Sequence, residues 1–407
     1  MSWRELPDLA VRHRGGSVLA ANDETFGEKE NLLTPDPPRF QPYTFGHRGQ
    51  IVDGWETRRR REPGHDWALV RLGLPGLVRG VVVDTSWFTG NYPQECSVEA
   101  ACVDMLGTPP GAEELGAAEL DAVERRARQP GAVEWTEIVP RTALEGNTEN
   151  EFGVQHEHLV THLRLRQYPD GGIARLRVHG EPVGDPRWVA GRVFDLAALE
   201  HGARIADCSN RFYSTPDNLL AAGPARVMGE GWETSRRRDA DHDWVVVDLA
   251  ATGTVRQVEI DTSCFIGNAP GEVELTGMGA ERVELLPRAE LRPDTVHRFL
   301  LASDVAVERL RLDIYPDGGL ARLRASGEPS PTGRAAFFLR WYNRLPSQVA
   351  VAALTGWGGA DETWARAVAD GRPYDVPDLA ERVRVFPGLA PDPAAWQALT
   401  GLPWAHR

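Results

Sequence analysis

The chain has 407 residues, 42% of them hydrophobic, and a formal net charge of −14. That length allows two or three domains with real cores, and the negative balance argues against a nucleic-acid partner, because phosphate binding requires a basic face. No apolar run approaches the roughly 20 residues needed to cross a bilayer, so no membrane partner is expected. The opening MSWRELPDLAVRHRGG contains no apolar signal segment. Four scattered cysteines (Cys96, Cys102, Cys208, Cys264) form no CxxC pair, so a reducing, cytoplasmic setting is expected. Of 45 basic residues only Lys29 is a lysine; either chance or a need for a compact ammonium accounts for it.

In chain order, the first distinctive block is NDETFGEKENLL at 22–33, followed by GWETRRRREPGHDW at 54–67. Both return. Residues 54–95 align without a gap on 231–272, with 24 of 42 positions identical, so a domain has been duplicated. The block LRLRQYPDGGIARLRVHGEP (163–182) returns at 310–329, and NDETFGEKENLL has a looser partner in NRFYSTPDNLL (210–220). The offset falls from 177 to 147 between the blocks, which places a 30-residue insertion in the first copy, at about 103–133. Its GAEELGAAELDAVERRARQ has helical leucine spacing. The remaining pattern is β. WALVRLGL, VRGVVVDTSWF and their partners are short β-branched runs, and LRLRQY-PDGG-IARLRVHG reads as a hairpin. Several short strands in about 150 residues predict a sandwich or jelly roll in each copy. From Phe337 the sequence turns helical, in short pieces broken by Gly-Trp-Gly-Gly. The expected domains are 1–182, 183–332 and a helical tail, 333–407.

Charged side chains then raise the question of partners. Alternation puts Arg164 and Arg166 on one strand face, and Arg175 and Arg177 on one face of the next run. If the two rows faced each other, carboxylates of the protein or a bound carboxylate would have to relieve them. In the second copy Asp313 replaces one of the arginines. Glu56, His65 and Asp66 (Glu233, His242 and Asp243 in copy two) offer acid–base groups, although neighbours on a strand point oppositely. Asp84 and Asp261, in DTSWFTGNYPQE and DTSCFIGNAPGE, could cap their turns or sit at a pocket rim. His156, His158 and His162 share one side if they lie on a strand, which is either a site for a divalent metal or an exposed face. No zincin, P-loop, dinucleotide or nucleophile-elbow motif is present.

Taken together, NDETFGEKENLL, DGWETRRRREPGHDW, DTSWFTGNYP and THLRLRQYPDGGIARLRVHGEP, with their second-copy partners, resemble allantoicase over about 17–329. The resemblance implies an all-β chain of two tandem jelly rolls similar to galactose-binding modules, a homo-oligomer, and hydrolysis of allantoate to ureidoglycolate and urea in purine breakdown. The chain departs from the family pattern where Trp87 and Cys264 stand in place of a histidine before the phenylalanine, and where Glu308-Arg309 stands in place of Thr-His. The tail segment YNRLPSQVAVAALTGWGGADETWARAVADGRPY resembles the N-terminal helices of OHCU decarboxylase without that family's histidine-proline motif, which implies an empty remnant or a dock for another ureide-pathway enzyme. The implied reaction needs a carboxylate anchor, a proton donor to the leaving urea and a base for water. Bidentate arginine suits the first, giving Arg164 and Arg175 with Lys29 assisting. Glu56, His65, Asp84 and His162 are the acid–base candidates, and Asn91 the hydrogen-bonding partner of a ureido group. The second-copy counterparts are Glu233, His242, Asp261, Asn268, Arg311 and Arg322. A non-catalytic ligand-binding or scaffold module is the alternative.

Overall fold

The computed structural model describes residues 2–103, 133–358, 361–385 and 393–402. The expected helical insertion, at about 103–133, falls almost wholly outside them. The chain divides into two compact units, Met1–Pro182 with Arg344–Val349, and Val183–Asn343 with Ala350–Arg407.

The first unit runs β1 (Ser17–Ala21), a small ladder of β2 (Phe45–Gly46) with β3 (Gly49–Gln50), β4 (Trp55–Glu56), β5 (Asp66–Asp84), β6 (Glu95–Ala101), β7 (Thr136–Ala143), β8 (Glu149–Gly153), β9 (Val160–Tyr168), β10 (Gly172–Ile173) and β11 (Arg175–Pro182). Its organiser is β5. The two runs that read as separate strands form one strand of 19 residues. The first half pairs with β1 and β9, and the second half with β8 and β11. The register shifts between Arg71 and Gly76, where Pro75 can donate no ladder bond. Gly76 is required there, because a Cβ would stand 2.4 Å from the Glu181 carbonyl oxygen. Beyond β9 the sheet continues through β6 to β7.

This arrangement corrects the hairpin reading of LRLRQY-PDGG-IARLRVHG. Its two runs, β9 and β11, do not pair with each other; each is a partner of a different half of β5. The PDGG turn carries the chain from one half to the other, and its Gly172-Ile173 pairs with Glu56-Trp55 on the way. The arginine rows therefore never face each other. Glu99 lies across from Arg164 on β6 and accepts from Arg164 Nε at 2.6 Å and from Arg166 Nη2 at 2.9 Å. Arg177 donates to the Thr34 carbonyl at 2.6 Å.

The second unit repeats the plan with β12 (Phe194–Asp195), β13 (Arg204–Cys208), β14 (Trp232–Glu233), β15 (Asp243–Asp261), β16 (Glu272–Met278), β17 (Arg282–Glu290), β18 (Val296–Leu300), β19 (Val307–Tyr315), β20 (Gly319–Leu320) and β21 (Arg322–Pro329). Here β15 is the shared strand, pairing with β13 and β19 through its first half and with β18 and β21 through its second. Among the described residues five helices follow: α1 (Pro331–Tyr342), α2 (Ser347–Gly358), α3 (Glu362–Asp370), α4 (Val376–Val385) and α5 (Pro393–Thr400). Helix α1 starts on a Ser330 cap with proline at its first turn. It buries Phe337, Phe338, Trp341 and Tyr342. Phe337 stacks on Phe194 at 6.0 Å and Arg187 covers Trp341 at 4.7 Å, so the helices borrow core from the second repeat, as so short a segment must. No described helix is long and apolar enough to cross a membrane.

Candidate functional site

The twice-written Gly-Trp-Glu-Thr is a device for presenting a carboxylate. Trp55 is fully buried and its indole N–H donates to the Asp23 carbonyl at 2.8 Å; Trp232 does the same to Asn210 at 2.9 Å. The tryptophan anchors a two-residue ladder, β4 with β10 or β14 with β20. The next residue, Glu56 or Glu233, projects from it. Asn91 Nδ2 donates to Glu56 Oε1 at 2.7 Å, and Asn268 Nδ2 to Glu233 Oε1 at 2.7 Å. Burial pushes the Glu56 carboxyl above the ordinary carboxylate range, and the Asn91 bond draws it partly back.

Glu56 and Asn91 line a cleft of about 400 Å³, within the range of small-molecule sites. Its other walls come from the 34–53 loop, through Arg39, Phe40, Arg48, Gln50 and Asp53, and from Ser86, Trp87 and Phe88. Trp87 stacks on Phe40 at 5.7 Å and donates from Nε1 to the Pro38 carbonyl at 3.0 Å. Among the described residues the Arg39 guanidinium has no hydrogen-bond or ion-pair partner; only its backbone N–H is bound, to Asp53 Oδ2 at 2.7 Å. Arg48 is partly engaged, donating to the Glu24 carbonyl.

Of the residues expected from sequence, the structure brings Glu56 and Asn91 together in this cleft and places the others elsewhere. Asp84 caps the adjoining turn, accepting from the Ser86 N–H at 2.8 Å, as Asp261 does from Ser263 at 2.7 Å. Arg175 is buried and already satisfied: Nε donates to the Asp36 carbonyl at 3.0 Å, Nη1 to the Asp53 carbonyl at 3.0 Å and Nη2 to Asp53 Oδ1 at 2.8 Å. It ties down both ends of the loop instead of facing a ligand. Arg322 likewise donates to the Gly223 and Glu230 carbonyls at 2.8 and 2.6 Å. Arg164 is held by Glu99 and lies over Trp135 at 4.6 Å. Lys29 pairs with Glu30 at 3.1 Å. None of Arg164, Arg175, Arg322 and Lys29 lines the cleft.

The histidines also fall outside it. His65 packs on Tyr168 at 5.2 Å, and burial with the Arg166 and Arg60 charges holds its pKa low. His242 Nε2 is 2.8 Å from Asp313 Oδ1, a carboxylate shared with Arg311. His162 is buried across from Arg71 with Nδ1 2.9 Å from the Thr161 hydroxyl. Burial, helped by the Arg71 charge, pushes its pKa down to about 4. The three-histidine metal reading is corrected too. Strand β9 begins at Val160, so His156 and His158 precede it. Among the described residues no group of three or more His, Cys, Asp or Glu is arranged to hold a metal.

Arg39, Arg48, Phe40 and Gln50 escaped the sequence reading because they lie between the duplicated blocks. A signal was present in the lengths: 20 residues separate Leu33 from Gly54, but only 10 separate Leu220 from Gly231.

A family profile described as the allantoicase repeat matches residues 7–183 and 194–330. A probable allantoicase of Nocardia farcinica is 54% identical over 330 residues, covering 80% of this chain and 95% of the relative. One of Streptomyces avermitilis is 49% identical over 353 residues, covering 83% and 90%. The crystal structure of allantoicase from Saccharomyces cerevisiae superposes with a TM-score of 0.63 at 31% identity, covering 80% of this chain and 93% of that one. Both Glu-Asn corners thus fall within matched sequence, and the chain belongs to the allantoicase family.

Proposed function

We propose that the chain hydrolyses allantoate to ureidoglycolate and urea in the first-repeat cleft, with Glu56 as the proton-transfer group. The observation that carries this reading is the Glu56 carboxyl itself: raised by burial, fixed by Asn91 at 2.7 Å, and set in a cleft whose wall holds an unpaired Arg39. Allantoate has one carboxylate and two ureido groups on a single carbon. Arg39, with Arg48 beside it, takes the carboxylate through charge-assisted hydrogen bonds. Protonated Glu56 gives its proton to the nitrogen of one ureido group, and that carbon–nitrogen bond breaks while the lone pair of the other ureido nitrogen moves in to form a C=N bond. Urea leaves. Water then adds to the carbon, and Glu56, now a carboxylate, accepts the water's proton. The sum is one water consumed and one urea released, with Glu56 restored. Asn91 keeps the carboxyl oriented through both halves.

The test is urea release from allantoate by purified Glu56→Gln protein, alongside its affinity for allantoate. Retained binding with a collapsed kcat supports the assignment, and an unchanged kcat removes Glu56 from the chemistry. We further propose that each repeat closes as a jelly roll, for which the sharing of β5 and of β15 between two sets of partners is the support. On this reading 1–182 and 183–332 are the repeats of a cytoplasmic homo-oligomer, and 333–407 is a helical appendage.

A further inference from the structure

The two repeats treat the same corner differently. Position 53 of the first repeat aligns with position 230 of the second, and both carbonyls accept from the buried arginine of their repeat, Arg175 or Arg322, at 3.0 and 2.6 Å. Both side-chain carboxylates also accept from the backbone N–H of a loop arginine: Asp53 Oδ2 from Arg39 at 2.7 Å, and Glu230 Oε2 from Arg226 at 2.8 Å. Arg39 and Arg226 are therefore structural counterparts, although the loops differ in length.

Their guanidinium groups part company. Glu230 Oε1 accepts from Arg226 Nε at 2.8 Å and from its Nη2, so in the second repeat the acid neutralises its own loop arginine. Asp53 is one methylene shorter, and its remaining oxygen is taken by Arg175 Nη2 at 2.8 Å. The Arg39 guanidinium is left in the cleft wall with Glu56 and Asn91. A guanidinium without a partner among the described residues, sharing a cleft wall with a half-buried carboxyl, is what an anionic substrate with a protonatable leaving group requires.

We infer that Asp53 is a positioning residue that keeps Arg39 available to the substrate carboxylate, and that its replacement by the longer acid, as in Glu230, is what withholds Arg226 in the second repeat. This rests on the first-repeat cleft being the allantoate site. The discriminating variant is Asp53→Glu, which preserves charge and the backbone contact while giving the carboxylate the reach to capture Arg39. The full-length protein is assayed for urea release over a range of allantoate concentrations. Asp53→Glu should raise KM at least about tenfold, the scale of one charge-assisted hydrogen bond, with kcat within about twofold of the parent because Glu56 is untouched.

Arg39→Ala should raise KM similarly, and the double variant Asp53→Glu/Arg39→Ala should be no worse than Arg39→Ala alone, since the two act through one group. A KM unmoved by Asp53→Glu while Arg39→Ala raises it overturns the inference, as does full additivity in the double variant. A fall in kcat and kcat/KM together, with KM constant, also overturns it, for that is the mark of general damage. If neither Arg39→Ala nor Glu56→Gln alters the kinetics, the cleft assignment itself has failed, an outcome distinct from the others.

Discussion

Around their glutamate-asparagine corners the two repeats are copies, with the same buried tryptophan, the same two-residue ladder and the same 2.7 Å hydrogen bond. They differ in what stands over that corner. In the first, a 20-residue segment carries Phe40, Arg48 and an unpaired Arg39 to the cleft, pinned by Trp87 and Arg175. In the second, 10 residues suffice, Cys264 takes the place of Trp87, and the loop arginine is folded onto Glu230. Duplication preserved the frame that presents the acid, while the loop over that corner diverged in length and contacts, as surface connections do.

The largest expected effect tests whether that divergence separates a working site from an idle one. Glu56→Gln should lower kcat by about 100- to 10,000-fold, the usual weight of a proton-transfer group, whereas Glu233→Gln should cost less than about tenfold on the same scale. Equal losses would break the comparison. Next in size, Arg39→Ala should raise KM by about 10- to 100-fold, the weight of hydrogen bonds to a charged group, and Arg226→Ala should raise it far less; steady-state kinetics decides.

A subtler expectation concerns pH. On the proposed mechanism Glu56 gives up a proton as urea leaves, so kcat is expected to fall as pH rises through its pKa. Asn91 donates to the charged form, and its removal leaves burial unopposed. The basic limb of the kcat profile of Asn91→Ala should therefore move to higher pH; movement the other way would contradict the donor role of Glu56.

The smallest effect is on stability. His162 is pushed from 6.5 to about 4 by burial, so the folded state binds its proton less well than the unfolded chain does. Its contribution is present above the ordinary histidine pKa and is lost as pH falls from there through about 4. His162→Gln should flatten the decline of the denaturation midpoint over that window. Arg309, its counterpart, is exposed and paired with Asp248 at 2.5 Å, so Arg309→Gln should leave the slope unaltered. Equal slopes in the parent and in His162→Gln would contradict the pKa.

Much of the frame was legible in sequence because duplication prints it twice. Trp55, Glu56 and Asn91 stand out against Trp232, Glu233 and Asn268, and β-branched runs mark the strands. The pairing was not legible: Pro, Asp and two glycines announce a reversal, but nothing local says that β9 and β11 will each find a different half of β5. The contacts of Arg175 were not legible for a related reason. Alternation shows which way a guanidinium points, not that the carbonyls of Asp36 and Asp53 await it. Arg39 was missed because the information lay in a length difference and in one methylene, Asp53 against Glu230, outside the aligned blocks.

The most direct test of the account is a crystal structure of the Glu56→Gln protein with allantoate. The account predicts ligand in the first-repeat cleft, its carboxylate on Arg39 and a ureido nitrogen within hydrogen-bonding distance of residue 56. Allantoate bound instead against Arg164 and Trp135, or at the Glu233–Asn268 corner with the first cleft empty, would contradict it.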